Sequence, residues 1–162
     1  MMTRSDIVEL LNDAGIEHSF VEHPPAETTE QADSYIEGHE GVRTKSLFLV
    51  NRKRTRSYLL VMDDQKDLDL KDFAALIEEN RLSFGSADRL QEALGTEPGV
   101  VSPLAMLDPE HRSPTLIFDE EMLEDPILTF HPGENTSTIF LGTQDLLRLL
   151  TAHGVEHRTL RV

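Results

Sequence analysis

Three segments of the sequence carry residues that could do chemistry on a small ligand. Lys45 opens an apolar stretch, the segment GVVSP runs from Gly99 to Pro103, and His131 follows the apolar run ILTF. A lysine ammonium at a pocket rim can donate to a carbonyl or phosphate oxygen. A Gly-Pro loop can present bare backbone groups, because Gly adopts unusual backbone angles and Pro fixes the exit. A histidine at a strand end is a candidate pocket wall or hydrogen-bonding group.

Each of these segments also has a plainer explanation. Lys45 could extend its alkyl stem along apolar surface at a strand end and keep its ammonium in water. GVVSP could be a tight turn between a helix and a strand, and His131 a structural histidine with satisfied ring nitrogens. The residues alone leave both explanations open for each segment.

Residues 42–62 form a basic block, with six positive charges and no acid, in a chain of formal charge -15. The overall acidity argues against general affinity for nucleic acid, DNA included. Screening over about 8 to 10 Å still lets a local basic patch act separately from distant acids. The alternative is a solvated hairpin turn that discourages edge pairing. The positive residues are Arg43, Lys45, Arg52, Lys53, Arg54 and Arg56.

Composition and missing motifs exclude several kinds of site. The chain has no cysteine, which excludes disulfides, thiolate metal sites and a cysteine nucleophile, and fits a cytoplasmic protein. No phosphate-binding loop, dinucleotide fingerprint or serine elbow occurs, and the seven histidines form no His-x-x-x-His pair. No apolar run reaches membrane-spanning length. We therefore expect no metal, no cofactor, no membrane partner and no signal peptide.

Local patterns predict the elements that must position these residues. Apolar spacing predicts helices over 3–15 and 28–38, from Asp69 to about Asn80, from Ser86 to Gly95, and from Thr143 to Gly154. The predicted caps, in the same order, are Thr3 or Ser5, Thr28 or Thr29, Asp69, Ser86 and Thr143. Apolar runs predict strands over 16–23, 45–51, 57–63, 81–84, 115–118, 127–130, 137–141 and 155–160. The strands at 45–51 and 57–63 are apolar on both faces, which is typical of a covered sheet. Residues 1–162 should form one α+β domain around a mixed, curled, barrel-like sheet with surrounding helices.

Four segments in this order resemble the freestanding editing proteins associated with prolyl-tRNA synthetase, which are relatives of the YbaK proteins. The segments are EHPPAETTEQA, GVRTKSLFLVNRKRTRSYLLVM, LSFGSADRLQEALGTEPGVVSPLAML and LTFHPGENTSTIFL. The resemblance covers nearly the whole chain and is closest to the deacylase that removes alanine mischarged on proline tRNA. It implies a curled α+β fold and a trans-editing hydrolase of the aminoacyl ester that needs no metal or cofactor.

The resemblance also assigns residues to roles. Lys45 matches the functional lysine of the family, and Gly99 and Pro103 match its Gly-x-x-x-Pro loop. Lys45 and Gly99 would act on the ester, and the substrate pocket would be formed by Thr28, Ser46, Ser102, Pro103 and His131. Arg52, Lys53, Arg54 and Arg56 would lie near tRNA phosphates. The implied partners are the acceptor end of a mischarged aminoacyl-tRNA and prolyl-tRNA synthetase.

Two positions depart from the family pattern, and both border the implied pocket. Ser46 stands where asparagine commonly follows the lysine, and Glu27 stands where an apolar or aromatic residue often precedes the threonine. These departures bear on which amino acid is removed. They also motivate an alternative, a non-catalytic module of the same fold that binds an amino acid or charged tRNA. A weaker alternative is that the basic block is only a soluble strand edge and that the partner of this chain is another protein.

Overall fold

The strands of the chain join into one mixed sheet, and the computed structural model describes all residues, 1–162. The strands are β1 (His18–Glu22), β2 (Val42–Asn51), β3 (Ser57–Asp63), β4 (Leu82–Phe84), β5 (Thr115–Asp119), β6 (Ile127–Phe130), β7 (Ser137–Gly142) and β8 (His157–Leu160). The α-helices are α1 (Arg4–Asp13), α2 (Thr29–Tyr35), α3 (Leu70–Leu76), α4 (Ala87–Leu94) and α5 (Thr143–Ala152). Two 3-10 helices span Pro103–Leu107 and Glu121–Glu124.

The long strand β2 connects the two halves of this sheet. The strand order is β1-β7-β6-β2-β3-β5-β8, and β4 pairs with β2 as well. β2 runs antiparallel to β3 and β4 but parallel to β6. No pairing joins β1 to β8, so the sheet does not close into a barrel. The predicted α+β class with a mixed sheet is confirmed.

Both faces of the sheet are covered, as the apolar strands β2 and β3 predict. On one face, Phe48 and Val50 join a core of 25 buried residues that includes side chains of α1, α4 and α5. On the other face, Leu49 and its neighbours on β3 pack against Phe73 of α3 in a core of nine residues. Burial on both faces fixes the register of β2, because a shift of one residue would exchange the two side-chain sets.

Four of the predicted helix caps are present. Thr3, Thr28, Asp69 and Ser86 each accept a hydrogen bond from a backbone N–H in the first turn of the helix that follows. The end of α4 is also as predicted, since Gly95 adopts the left-handed backbone conformation with φ +64°. These signals are local, which is why the sequence reveals them.

The prediction that Thr143 caps α5 is wrong. The cap position belongs to Gly142, and the Thr143 hydroxyl donates instead to the carbonyl oxygen of Asp125 at 2.5 Å. α3 is also shorter than predicted and ends at Leu76. The two 3-10 helices were not predicted. None of the helices has the length and apolarity needed to cross a membrane.

Candidate active site

Strand β2 leaves part of one edge unpaired, and a cavity lies at this gap. β6 pairs with β2 at Val42 and Arg43, and β4 pairs with it from Leu49 to Asn51, so residues 44–47 pair with β3 alone. The cavity has a volume of about 350 Å³. Its lining comes from β2, β6, β7, the segment around α2 and two loops: Ala26, Glu27, Thr28, Thr29, Ala32, Asp33, Ile36, Thr44, Lys45, Ser46, Leu47, Gly99, Val101, Thr129, Phe130, His131, Asn135 and Thr138.

The gap exposes main-chain groups of β2 to the cavity. The Arg43 carbonyl accepts from the Asp64 N–H on the β3 side, whereas the Phe48 carbonyl accepts from the Gly85 N–H on the opposite side. Backbone groups alternate in direction along a strand, so those of Ser46 point toward the gap, as those of Phe48 do. No loop or side chain hydrogen-bonds to Ser46. Its N–H and C=O are therefore available to a ligand.

Lys45 lines the cavity and has no acidic partner. Its Nζ donates to the main-chain carbonyl of Lys66, and no carboxylate lies within ion-pair distance of it. Lys66 is itself anchored, because its own ammonium donates to the fully buried Asp119 at 2.7 Å and to Glu121 at 3.1 Å. The Asp119 hydrogen bond is the main cause that raises the pKa of Lys66. The ammonium of Lys45 is thus held in place but not neutralised.

Gly99 reaches the cavity, whereas the residues that follow it support the loop. Its φ is +91°, a left-handed conformation that disfavours other residues, and a Cβ built there would meet no atom within 4 Å. Its backbone N–H and C=O make no hydrogen bond within the chain. Ser102 and Pro103 are buried and do not line the cavity. The Ser102 hydroxyl accepts from the Leu104 N–H at 3.2 Å and so begins the 3-10 helix.

His131 lies at the cavity wall as a neutral ring. Its Nδ1 is 3.2 Å from the Ser137 carbonyl oxygen, which can only accept, so the proton resides on Nδ1 and Nε2 is left as an acceptor. Burial lowers the pKa of His131, the Ser137 carbonyl partly opposes this, and His23 lowers the pKa further. No group of His, Asp and Glu side chains in the structure is arranged to hold a metal ion.

Two residues that sequence reasoning did not single out fix the segment leading into α2. The His23 ring donates from Nδ1 to the Pro24 carbonyl and accepts at Nε2 from the Thr138 hydroxyl, each at 2.9 Å, and it stacks on Tyr35. The Asn135 amide donates to the Ala26 carbonyl at 2.8 Å. Both lie within the motifs EHPP and FHPGEN, but nothing in their spacing indicates these contacts.

Asp33 brings a carboxyl group of α2 to the cavity, and it was also missed. Burial and the neighbouring carboxyl group of Asp64 raise the pKa of Asp33 to about 7. The guanidinium of Arg43 lowers it, but the N–H groups of Arg43 donate to main-chain carbonyls at the end of α2 and beyond, namely those of Ile36, His39 and Gly41. With 30 acidic residues in the chain, no sequence signal selects this one.

The residues 52–56, here called the basic turn, lie at the far end of β2 from Lys45. All five are exposed. Arg56 forms an ion pair at 2.5 Å with the buried carboxylate of Glu79, whereas Arg52, Lys53 and Arg54 have no ion-pair partner. Arg52 follows Lys45 by seven positions of extended chain, a distance of about 23 Å. The structure thus brings Thr28, Lys45, Ser46, Gly99 and His131 together at one cavity and leaves the basic turn outside it.

Comparison with known proteins identifies a family over most of this chain. Residues 23–149 match the aminoacyl-tRNA editing domain. The prolyl-tRNA editing protein ProX of Acetoanaerobium sticklandii is 30% identical over 154 residues, which cover 95% of this chain and 94% of ProX. The prolyl-tRNA synthetase associated domain-containing protein 1 of Danio rerio is 31% identical over 149 residues, covering 91% of this chain and 80% of that protein.

A solved structure has the same fold. It is described as a candidate trans-editing enzyme for prolyl tRNA synthetase and superposes with a TM-score of 0.70 at 21% identity, covering 100% of this chain and 99% of its own. The family model and the ProX match define an aminoacyl-tRNA editing deacylase, an enzyme that hydrolyses the aminoacyl ester of a mischarged tRNA. The chain belongs to the aminoacyl-tRNA editing domain family.

Proposed function

We propose that the substrate is alanine esterified to the tRNA for proline, and that Lys45 and Gly99 act on its ester. One observation carries this proposal: the ammonium of Lys45 is held at the cavity without a carboxylate partner, near a strand edge and a glycine whose backbone groups are free. A cavity that offers a cation and main-chain donors suits an ester carbonyl whose oxygen gains negative charge during hydrolysis.

Hydrolysis on this site requires no protein nucleophile. A water molecule attacks the carbonyl carbon, and the electron pair of the C=O bond moves to the oxygen, where Lys45 and a main-chain N–H of Ser46 or Gly99 stabilise it. When this intermediate collapses, the bond from the carbonyl carbon to the ribose oxygen breaks, and that oxygen takes up the proton that the attacking water has given up. The neighbouring hydroxyl of the terminal ribose lies close enough to assist, so part of the catalysis comes from positioning.

The size of the cavity supports a small aminoacyl group. A volume of about 350 Å³ lies at the lower end of the range for small-ligand sites. Thr28, Ser46 and His131 would bound the side chain, while Ser102 and Pro103 would act indirectly by fixing the Gly99 loop. Editing by size is useful here because a synthetase pocket rejects a substrate that lacks a methylene by only about 1 to 3 kcal/mol. The cavity of a separate editing enzyme, being smaller than the synthetase pocket, can accept alanine and exclude proline.

The basic turn is the proposed contact with tRNA phosphates. Arg52, Lys53 and Arg54 are exposed and unpaired, which leaves their charge available to phosphate. Asn51 stiffens the turn, because its side-chain Oδ1 accepts from the N–H groups of Thr55 and Arg56. Since the turn is remote from Lys45, it would contribute to affinity and not to the chemical step. Prolyl-tRNA synthetase is a proposed protein partner because relatives are named for association with it.

A deacylation assay tests this function. tRNA for proline is charged separately with alanine, serine, cysteine and proline, and the release of each amino acid is followed with and without the protein. Alanine should be released fastest and proline slowest. Faster release of cysteine or proline would overturn the alanine assignment, and no release of any of them would support a binding module instead.

A further inference from the structure

Two neighbouring carboxyl groups, one of them in the cavity wall, form no ion pair. Asp33 lines the cavity and lies beside Asp64, the residue that follows β3. The Oδ1 of Asp64 accepts from the Gln65 side-chain amide at 3.0 Å, whereas its Oδ2 is buried and receives no N–H or other donor from the chain. Two adjacent carboxylates repel each other, so the raised pKa of Asp33 means that this carboxyl holds its proton more tightly than an isolated aspartate does.

The protein does not supply the missing positive charge. Neither Asp33 nor Asp64 takes part in an ion pair. Arg43 lies near enough to affect Asp33, but its N–H groups donate to backbone carbonyls. A buried acceptor without a donor is costly, by about 1 to 3 kcal/mol. A cationic ligand with several N–H donors would remove that cost.

The substrate of an editing deacylase carries such a group. An aminoacyl ester has a free α-ammonium two bonds from the reacting carbonyl carbon, with three N–H donors on one compact charge. We propose that Asp33, backed by Asp64, binds the α-ammonium group of the aminoacyl ester and so orients the acyl group at Lys45. This inference rests on the proposed function, because it names a substrate contact within the same cavity.

The charge state of the pair fits this role. Burial and Asp64 raise the pKa of Asp33 to about 7, Asp63 acts in the same direction, and Arg43 opposes them. A bound ammonium favours the ionised form of Asp33, because an opposite charge stabilises a carboxylate. Asp33 would therefore release its proton when the substrate enters, and its single negative charge would match the single ammonium.

The experiment replaces the ammonium of the substrate and the carboxylate of the protein in turn. Alanyl-tRNA is compared with lactyl-tRNA, in which a hydroxyl of similar size replaces the ammonium. Each enzymatic rate is divided by the spontaneous hydrolysis rate of the same ester. Asp33→Asn should lower kcat/KM on alanyl-tRNA at least about tenfold, as expected for a lost charge-assisted hydrogen bond. On lactyl-tRNA the same substitution should change kcat/KM by less than about twofold, because there is no charge to lose.

A matched control is Glu30→Gln, which removes a carboxylate from the same helix outside the cavity. This variant should discriminate between the two esters as the wild type does. The melting temperature of Asp33→Asn should not fall, since an asparagine amide can donate to Asp64.

Two results would overturn the inference: equal loss by Asp33→Asn on both esters, or a wild-type enzyme that hydrolyses lactyl-tRNA as well as alanyl-tRNA. Neither outcome bears on the proposed function, which fails if wild-type protein does not release alanine or releases cysteine or proline faster.

Discussion

The substitution Lys45→Ala separates a chemical role for this lysine from a structural one. If Lys45 stabilises the ester oxygen as charge develops, its removal should lower kcat on alanyl-tRNA by roughly 10²- to 10³-fold, as for other lost donors of this kind. The structural loss is small, because the Lys45 side chain makes a single hydrogen bond, to the Lys66 carbonyl, which is worth about 0.5 to 1.5 kcal/mol. In a chain of this length that corresponds to about 1 to 6 °C in Tm.

The assay measures single-turnover deacylation together with thermal unfolding of the same samples. Lys45→Met serves as the structural control, since it keeps an unbranched apolar stem and removes the ammonium. Both variants should lose activity alike, while Lys45→Met should retain more of the Tm. Lys45→Arg should not restore full activity, because a planar guanidinium does not replace a compact ammonium. If activity falls in proportion to Tm across the three variants, the chemical role is refuted. Lys45 would then have only a structural role, as a lysine at a strand end.

Four further outcomes are expected. Neutral replacements at Arg52, Lys53 and Arg54 should weaken tRNA binding and reduce the slope of log Kd against log salt concentration, with little change in rate at saturating tRNA; an unchanged slope would make this turn a solvated edge. Gly99→Val should abolish alanine release with the fold retained, because it adds bulk at the cavity and strains a backbone at φ +91°; wild-type rates would contradict this. His131→Ala should enlarge the cavity, so the ratio of alanine to proline release should fall before total activity does, and an unchanged ratio would remove His131 from the pocket wall. The pKa of Asp33 is raised from 3.8 to about 7, so its stabilising contribution is complete below pH 4 and is lost as the pH rises through 7; the Tm of Asp33→Asn relative to wild type should therefore increase between pH 5 and pH 8.

Much of the secondary structure could be predicted because its signals are local. The caps at Thr3, Asp69 and Ser86 and the stop at Gly95 each depend on a few neighbouring residues. The incorrect cap at Thr143 shows the limit of such signals. The Thr143 hydroxyl donates a hydrogen bond to the carbonyl oxygen of Asp125 instead. Asp125 precedes β6, and the antiparallel pairing of β6 with β7 brings it next to Thr143.

The candidate site was predicted in part. The motifs placed Thr28, Lys45, Ser46, Gly99 and His131 at one pocket, and the structure brings all five to its wall. The same reasoning included Ser102 and Pro103, which lie in the buried support of the loop, since a sequence motif does not separate a contact residue from the residue that holds it in place. It also could not reveal how far the basic turn lies from Lys45, because that distance depends on β2 continuing unbroken between them.

By itself the sequence determined the apolar alternation of β2 and β3, and so a sheet buried on both faces, because side-chain direction alternates with every residue of a strand. Only the tertiary structure decided where that sheet opens. β6 and β4 take separate parts of the same edge of β2, and the residues left between them become the wall of the cavity. The proximity of Asp33 to Asp64 likewise depends on where α2 lies relative to the residue after β3, which no local pattern specifies. Strand partners and desolvated charges arise from contacts between residues far apart in the chain, and local propensity contains no information about them.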